Sequence, residues 1–303
     1  MNSIVLAFNK KLKIRISEED ARSLESKTEG WVSGLQLTAI SLRNHPDPSG
    51  FIADLSGDNR YIMDYLVDEI LTQQPQPVRE FLFQTSILNQ LCGPLCDAVT
   101  ANTDPSTNSQ AYLEWLLESN YLLVPLDQDN HWFRYHALLR DLLGHRLMTL
   151  AKPREIATLH TRAAGWLASH GLVEEALHHL LAAGEAGAAA QLVEDNRHRF
   201  PNQDDWRTLD RWMALLPAEL LQQRPGLLMA RALVCLLLFD LQTISALVQA
   251  AEARLQAPSL RLSPDETSLI DVEISVFRGV FDCLTGQGGR SFDHLQRALP
   301  QIP

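Results

Sequence analysis

Apolar residues recur at helical spacing along most of the chain, beginning close to its amino end. Ser17 is followed by three acidic residues, which predicts a helix start because serine caps a first turn and acidic side chains favour the positive end of a helix. A second helix is predicted to stop before Pro46, since proline cannot continue it, and a third to run over about 61–71. Residues 1–75 are therefore predicted to form a small helical subdomain.

The pattern over residues 76–152 predicts three helices, a β-hairpin and a fourth helix. The first three helices are predicted to begin near Pro77, Gly93 and Ser109. Two short stretches of alternating apolar and polar residues follow, at 121–126 and 131–135. They flank the turn-rich tetrapeptide Asp127–Asn130, which predicts a hairpin. A helix over about 136–150 comes next, and this order of elements is typical of a winged-helix domain.

Residues 153–303 carry helical patterns alone, arranged as hairpins. Glycines mark several of the predicted turns, at Gly171, Gly184 and Gly286. Two of the predicted helix pairs are 227–239 with 241–255, and 268–284 with 291–299. The pairs recur at roughly 35–45 residues, as expected of tetratricopeptide-like hairpins. The predicted fold class is mainly all-α, with a tetratricopeptide-like α-solenoid as its last part and an irregular loop at 257–264.

The charge of the chain argues against DNA binding by the predicted winged helix. The chain has 303 residues with 26 basic and 37 acidic side chains, a formal net charge of −11. No Lys or Arg occurs over residues 101–133, and the third predicted helix, 109–119, carries Glu114 and Glu118. Arginine and lysine supply most contacts to phosphates and guanines. We therefore expect no direct DNA contact from this domain.

The residues offer little catalytic or metal-binding chemistry. Only Cys92 and Cys96 of the four cysteines lie close together, whereas zinc sites usually combine two short pairs, so we expect reduced, buried thiols and no metal site. Asp64 and Asp68 share a helix face, but a solvated face is expected there rather than a catalytic cleft. The adjacent histidines at 178–179 point to different faces of a helix. We predict no catalytic residue and no enzyme.

The hydropathy of the chain and the residues at its amino end indicate where in the cell the protein is located. The longest apolar stretch, residues 232–239, is far too short to span a bilayer. The basic residues near the amino end follow the short apolar run at 4–8, whereas a secretory signal has its charge first. We therefore expect a cytoplasmic protein without membrane contact.

Six short blocks of the sequence carry a resemblance to a known family: Thr28–Leu37, Phe51–Ala53, Gly57–Tyr61, Asp64–Glu69, Gly93–Val99 and Phe133–His136. They resemble the MalT-like regulators, which are large ATP-binding transcription factors of the LuxR class. The resemblance runs in order from about Ile16 to the carboxyl end and is most specific before about residue 200. It implies a signal-transducing NTPase of several domains.

The resemblance implies a P-loop nucleotide domain, a winged helix, a helical-repeat sensor and a helix-turn-helix, in that order. ADP would hold such a protein closed, while ATP and an inducer would open it. This chain contains no Gly-x-x-x-x-Gly-Lys-Ser/Thr loop and ends at Pro303 within the repeats. We therefore expect a central fragment, with residues 1–75 as the last helical part of the NTPase module. We expect no cofactor in the chain itself, ATP or ADP in the full-length protein, and the two missing domains as partners.

Three residues become candidate nucleotide contacts through the same resemblance. Tyr135–Asp141 is similar to the Met-His-Asp motif of related switch ATPases, whose histidine touches the β-phosphate of ADP, and His136 occupies the histidine position. Tyr135 and Ala137 depart from that motif, and the alternative for His136 is a structural residue that caps the helix. Gly34 and Gln36 stand in place of a Gly-Leu-Pro-Leu stretch beside the adenine, but Gln36 replaces proline, and we favour ordinary helix packing for both.

Two functions from different classes remain open. The first is the coupling and sensor region of an ATP-dependent transcriptional activator, with an inducer or a protein partner bound to the repeat arm. The second is a stand-alone helical-repeat scaffold that binds a protein partner. The repeats end without an obvious polar cap, so we also expect exposed apolar surface near the carboxyl end and self-association.

Overall fold

The computed structural model confirms a mainly α-helical chain with one small β-sheet. It describes residues 16–28, 38, 42, 47–53, 71, 74–102, 108–118, 123–198, 206–257 and 262–301. The chain divides into two compact units, Met1–Trp166 and Leu167–Pro303. Within the described ranges, no helix is long and apolar enough to cross a membrane. The predicted domain limits at 75/76 and 152/153 stay predictions.

The described helices near the amino end are α1 (Glu18–Thr28) and α2 (Pro48–Ala53). Ser17 caps α1 as predicted: its hydroxyl oxygen accepts the Asp20 backbone N–H at 3.0 Å, and the Asp20 carboxylate accepts the Ser17 backbone N–H at 3.0 Å. These reciprocal bonds satisfy two backbone donors that the helix itself leaves unpaired. The helices predicted to end before Pro46 and to run over 61–71 fall largely outside the described residues.

A winged-helix arrangement follows, as the sequence predicts. Its elements are α3 (Gln76–Thr85), α4 (Gly93–Thr100), α5 (Ser109–Glu118), β1 (Leu123–Pro125), β2 (Phe133–Tyr135) and α6 (Ala137–Leu150). Strands β1 and β2 pair antiparallel, with Leu123 opposite Tyr135. The Asp127 carboxylate closes the wing by accepting the His131 backbone N–H at 2.9 Å. Asn130 takes a left-handed conformation with φ of 53°, which asparagine tolerates better than most residues.

A third chain segment joins this hairpin, and the sequence does not predict it. Leu91 and Phe133 exchange two backbone hydrogen bonds, each of 2.8 Å, in an isolated antiparallel bridge. The bridge connects the segment between α3 and α4 to the wing. A single bridging residue has no alternating pattern, so periodicity cannot reveal it.

Apolar side chains from every element of the winged helix fill its core. The fully buried ones include Leu82, Leu91, Leu95, Leu113, Leu116, Phe133, Leu139 and Leu142. Gly93 lets α4 approach α5, since a Cβ at that position would lie 2.7 Å from the Cβ of Gln110. The Asp97 carboxylate then accepts the Ser109 backbone N–H at 3.2 Å and its hydroxyl at 2.6 Å, which anchors the start of α5.

The remainder of the described chain is helical. Its elements are α7 (Pro153–Ser169), α8 (Val173–Ala182), α9 (Ala186–Asn196), α10 (Trp206–Leu215), α11 (Ala218–Gln223), α12 (Pro225–Leu237), α13 (Leu241–Leu255), α14 (Pro264–Leu284), α15 (Gly288–Ala298) and a 3₁₀ turn (Leu299–Gln301). One apolar cluster joins α8, α9, α10 and α12, and a second joins α12, α13 and α14. Helices α9, α10 and α11 were not predicted individually.

Several ends of the predicted helix pairs were wrong. Helix α14 begins at Pro264 rather than at 268, because Ser263 caps it in a capping box with Glu266, so Pro264 does not belong to the loop predicted over 257–264. Helix α15 begins at Gly288 rather than at 291, and α12 ends at Leu237 rather than at 239. Each error lies at a helix end, where capping contacts decide the boundary.

The predicted glycine turns are confirmed, and they share one geometry. Gly171, Gly184 and Gly286 have φ near +80°. In each turn the N–H after the glycine bonds to the carbonyl five residues earlier, for example from Leu172 to Leu167 at 2.9 Å. This is the Schellman arrangement, which needs a left-handed residue just after the helix. Phe239 takes the same position after α12, with φ of 57°.

Buried ionic side chains connect α9 to two later helices. One oxygen of the Glu194 carboxylate accepts the Leu227 backbone N–H at 3.1 Å, and the other accepts Nε of Arg224 at 3.0 Å. Arg197 donates to the Glu273 carboxylate on α14 at 2.8 Å, and both side chains are about nine-tenths buried. His198 also contacts the Glu273 carboxylate, so each buried carboxylate has more than one donor, and these contacts connect the helices.

A more exposed pair joins α8 to α10. Arg211 makes a two-pronged contact with the Glu174 carboxylate, at 3.0 Å from Nε and 2.6 Å from Nη2. Hydrogen bonding to Arg211 lowers the pKa of Glu174, because it favours the ionised carboxylate.

The cysteines only partly match their expectation. All four are free thiols, and Cys92, Cys96 and Cys235 are buried. Burial raises the pKa of Cys96 well above its ordinary value, because a thiolate is poorly solvated there. Cys283 is exposed on α14, which corrects the expectation that every thiol is buried.

Candidate functional site

The junction between β2 and α6 holds the described candidate for a nucleotide contact. Tyr135 is the last residue of β2, and α6 begins at Ala137, so His136 occupies the position between them. The His136 carbonyl accepts the Arg140 backbone N–H at 3.0 Å, the first hydrogen bond of α6. His136 is therefore the N-cap residue, as the sequence places it.

The chain around this junction is buried and firmly held. The His136 residue is only 4 % exposed, and Tyr135 is 3 % exposed. The Thr85 hydroxyl lies 2.7 Å from the carbonyl oxygen of Phe81 and 2.7 Å from the hydroxyl of Tyr135. Because the Thr85 hydroxyl donates its proton to the Phe81 carbonyl oxygen, the Tyr135 hydroxyl donates to the Thr85 hydroxyl oxygen. The end of β2 is thereby tied to the last turn of α3, 50 residues earlier.

Burial also sets the chemistry of Tyr135. It raises the pKa of the phenol far above its ordinary value, since a phenolate would be unsolvated in this core. Tyr135 is therefore a neutral hydrogen-bond donor and not an acid or a nucleophile. Its contact positions the residue that follows it, which is His136.

The start of α6 has the general properties of an anion site. The first N–H groups of any α-helix lack partners within the helix, and its amino end carries a partial positive charge. Arg140 lies one turn into α6 and is exposed. These features are compatible with a phosphate near His136, and they are equally compatible with a structural N-cap.

The other two predicted nucleotide contacts, Gly34 and Gln36, lie outside the described residues. Their proximity to His136 stays a prediction. Within the part of the chain that the structure describes, no group of three or more His, Cys, Asp or Glu side chains could hold a metal ion.

The outer surface of α5 is acidic and partly apolar. Glu114, Trp115 and Glu118 are exposed on this helix, and Leu126 is exposed at the start of the wing. The Glu114 carboxylate accepts a hydrogen bond from the side chain of Gln110 at 3.2 Å. In a DNA-binding winged helix this helix enters the major groove and carries basic side chains. The negative charge here would repel the phosphate backbone.

Comparisons with known proteins identify the winged helix. The family described as the MalT winged helix domain matches residues 67–156. The HTH-type transcriptional regulator MalT of Yersinia enterocolitica is 29 % identical over 283 residues, which are 92 % of this chain and 30 % of that protein. The chain is thus similar to MalT over most of its length. It therefore contains a region of the kind found in transcriptional regulators.

Two further relatives show how far the similarity extends. MalT of Yersinia pestis is 31 % identical over 253 residues, covering 82 % of this chain and 27 % of that protein. The serine/threonine-protein kinase PknK of Mycobacterium tuberculosis is 30 % identical over 298 residues, covering 96 % of this chain and 26 % of PknK. The MalT-like chain thus spans less than a third of the length of each of these relatives.

Some contacts around the site were not predicted, although weak signals exist. The pairing of Thr85 with Tyr135 has no local sequence pattern, because the two residues are 50 positions apart. The capping of α12 by Glu194 does have a weak signal in the sequence. Pro225 and Gly226 open that helix without a capping side chain of their own, and a Cβ at Gly226 would lie 2.6 Å from the Glu194 carboxylate.

Proposed function

We propose that this MalT-like chain is the coupling and sensor region of an ATP-dependent transcriptional regulator. In this proposal the winged helix transmits the nucleotide state of a P-loop domain, and the helical arm receives an inducer or a protein partner. The chain itself catalyses no reaction. ATP or ADP would bind chiefly to the P-loop domain of the longer protein, which would work in the cytoplasm.

The placement of His136 carries the proposal. This residue is buried, caps α6 and follows a strand whose last side chain is hydrogen-bonded to α3. A contact between His136 and a phosphate would therefore act on the start of α6 and, through the Tyr135 hydrogen bond, on the end of α3. Loss of that contact would release the start of α6 relative to the nucleotide domain.

The charge of α5 supports a coupling role over DNA recognition. Four acidic side chains, Glu114, Glu118, Asp127 and Asp129, lie on α5 and the wing, and no Lys or Arg occurs over 101–133. Phosphate contacts need basic side chains. We therefore assign DNA binding to a separate helix-turn-helix domain.

The test is the retention of ADP by a full-length regulator that carries His136→Ala. We expect ADP to dissociate at least about tenfold faster, as the loss of one charge-assisted hydrogen bond would cause. His145→Ala is the matched control, because His145 is an exposed histidine on the same helix. Equal ADP retention in the His136→Ala variant and the wild type would refute the proposal.

The stand-alone scaffold is the second candidate function, and exposed apolar side chains on the arm favour it. Phe239 and Phe292 are 79 % and 66 % exposed. Such residues commonly form contacts with other proteins. The two candidate functions predict different genomic sequence on either side of the reading frame. A P-loop upstream and a helix-turn-helix downstream would support the regulator, whereas stop codons and unrelated genes would support the scaffold.

A further inference from the structure

A cavity of about 290 Å³ lies between α13, α14 and α15 in the second compact unit. Its lining residues come from all three helices and include Ile244 and Val248 on α13, Phe277 and Phe281 on α14, and Arg290 and His294 on α15. Small-molecule sites usually have volumes of about 300–1,000 Å³, so this cavity suits a compact ligand.

One part of the cavity wall is apolar. Ile244 and Val248 on α13 are 2 % and 4 % exposed, and Phe277 and Phe281 on α14 are half-buried. This combination of aliphatic and aromatic side chains can cover a ring or a short hydrocarbon group. Burial of such a group favours binding, because apolar surface is removed from water.

The remaining wall is charged. Arg278 forms an ion pair with Glu252. Nε2 of His294 lies 3.7 Å from the Asp282 carboxylate, and the two form an ion pair when the imidazole is protonated. Arg290 differs, because its guanidinium donates at 3.0 Å to the neutral side chain of Gln287. Among the described residues Arg290 makes no ion pair, so its positive charge is available to a ligand.

The position of Arg290 strengthens its preference for an anion. It belongs to the first turn of α15, an 11-residue helix whose N-cap residue, Gln287, makes no capping bond with its side chain. The positive end of the helix dipole therefore adds to the arginine charge. A Cβ at Gly288 or Gly289 would meet no atom within 4 Å, so the approach to this turn is open.

We propose that this cavity binds a small organic anion, with a carboxylate or phosphate group on Arg290 and a compact apolar or aryl body against Phe277 and Phe281. Guanidinium groups bind both kinds of oxyanion through paired N–H donors. The occupant would contact α13, α14 and α15 at once and so stiffen the end of the arm. The use of this site as an inducer site rests on the proposed function, whereas the binding itself does not.

The experiment is isothermal titration calorimetry of the 303-residue chain with four probes. Benzoate and phenyl phosphate combine an anion with an aryl group, inorganic phosphate supplies the anion alone, and benzyl alcohol supplies the aryl group alone. We expect saturable binding of benzoate or phenyl phosphate, tighter than that of the other two probes. The stronger of the two aryl anions identifies the head group. No saturable binding of either aryl anion up to about 10 mM would overturn the proposal.

A pair of charge variants tests the location of binding. Arg290→Gln should weaken binding of the aryl anion by about tenfold or more, since it removes one charge-assisted interaction. Arg254→Gln is the matched control, because Arg254 is an exposed arginine on α13 that does not line the cavity. Thermal unfolding of both variants verifies that they are folded. Equal weakening in the two variants would show unspecific charge attraction and would also overturn the proposal.

These outcomes are separable from the test of the proposed function. The calorimetric experiment uses residues of the second unit, whereas the ADP measurement depends on His136 in the first. Failure of the anion to bind would leave the result for His136→Ala unchanged, and the converse also holds.

Discussion

Phe239 adopts a backbone conformation in which glycine is the usual residue. Its φ of 57° lies in the left-handed region, and the side chain is 79 % exposed. At the corresponding turns after α7, α8 and α14 the chain has glycine instead. A residue with a Cβ costs roughly 1–2 kcal/mol in this conformation. The exposed ring recovers little of that cost through burial, so Phe239 is a strained residue on the surface of the arm.

Replacement of Phe239 by glycine should therefore stabilise the chain. We expect Phe239→Gly to raise the free energy of unfolding by about 1 kcal/mol, because the strain disappears and little packing is lost. Urea denaturation followed by circular dichroism measures the change. Leu238→Gly is the control: Leu238 has φ of −87°, so glycine there should lower stability by about 0.5–1 kcal/mol. A decrease in stability for Phe239→Gly would contradict the strain account.

At the scale of elements, close packing of α4 against α5 holds the centre of the winged helix together. Gly93 opens α4, and a methyl group at this position would lie 2.7 Å from the Gln110 Cβ and 3.0 Å from its backbone nitrogen. Backbone atoms cannot move aside as the end of a flexible side chain can. The Gly93 backbone N–H also donates to the Gln110 side chain at 3.2 Å. The approach of the two helices thus depends on a residue without a side chain.

We expect Gly93→Ala to destabilise the chain by about 1–3 kcal/mol, the usual cost of forcing extra volume into a packed contact. Gly144→Ala provides the opposite expectation. Gly144 lies inside α6 with no atom within 4 Å of a built Cβ, so alanine there should stabilise the chain by about 0.5–1 kcal/mol. Chemical denaturation of both variants tests the contrast. Equal effects of the two substitutions on stability would show that close contact with Gln110 does not require glycine at position 93.

At the scale of the molecule, exposed apolar side chains lie on the later helices, where the sequence predicts them, and also at the end of α6, where Met148 and Leu150 are 70 % and 68 % exposed. Leu238, Phe239, Leu284, Phe292 and Leu299 are each at least half exposed. The last two belong to α15 and the following 3₁₀ turn. The net charge of −11 opposes association through repulsion, but salt screens that repulsion. Self-association of the chain stays a prediction.

Light scattering at several protein concentrations tests the prediction. We expect the average mass of the 303-residue chain to rise with concentration at moderate salt, because apolar surface is removed from water on association. Phe292→Gln should reduce the rise. Leu126→Gln, which changes an exposed leucine on the wing, should leave it unchanged. A monodisperse monomer at every concentration would contradict the prediction.

Local sequence patterns determined much of the architecture. The start of α1, the three helices before the wing, the turn at Asp127–Asn130 and the glycine turns of the arm were all predicted. These features depend on residues a few positions apart, through helical periodicity, capping and the conformational freedom of glycine. The position of His136 at the start of a helix was predicted for the same reason.

Only the tertiary structure decided which distant residues meet. Leu91 joins Phe133, Tyr135 donates to Thr85, and Glu194 caps a helix that begins 31 residues later, at Pro225. The same holds for the burial of His136 and for the cavity beside Arg290. Such contacts form when whole elements pack together, and no short-range periodicity records them. The sequence by itself thus determined the elements and their order, whereas the candidate sites arose from packing between elements far apart along the chain.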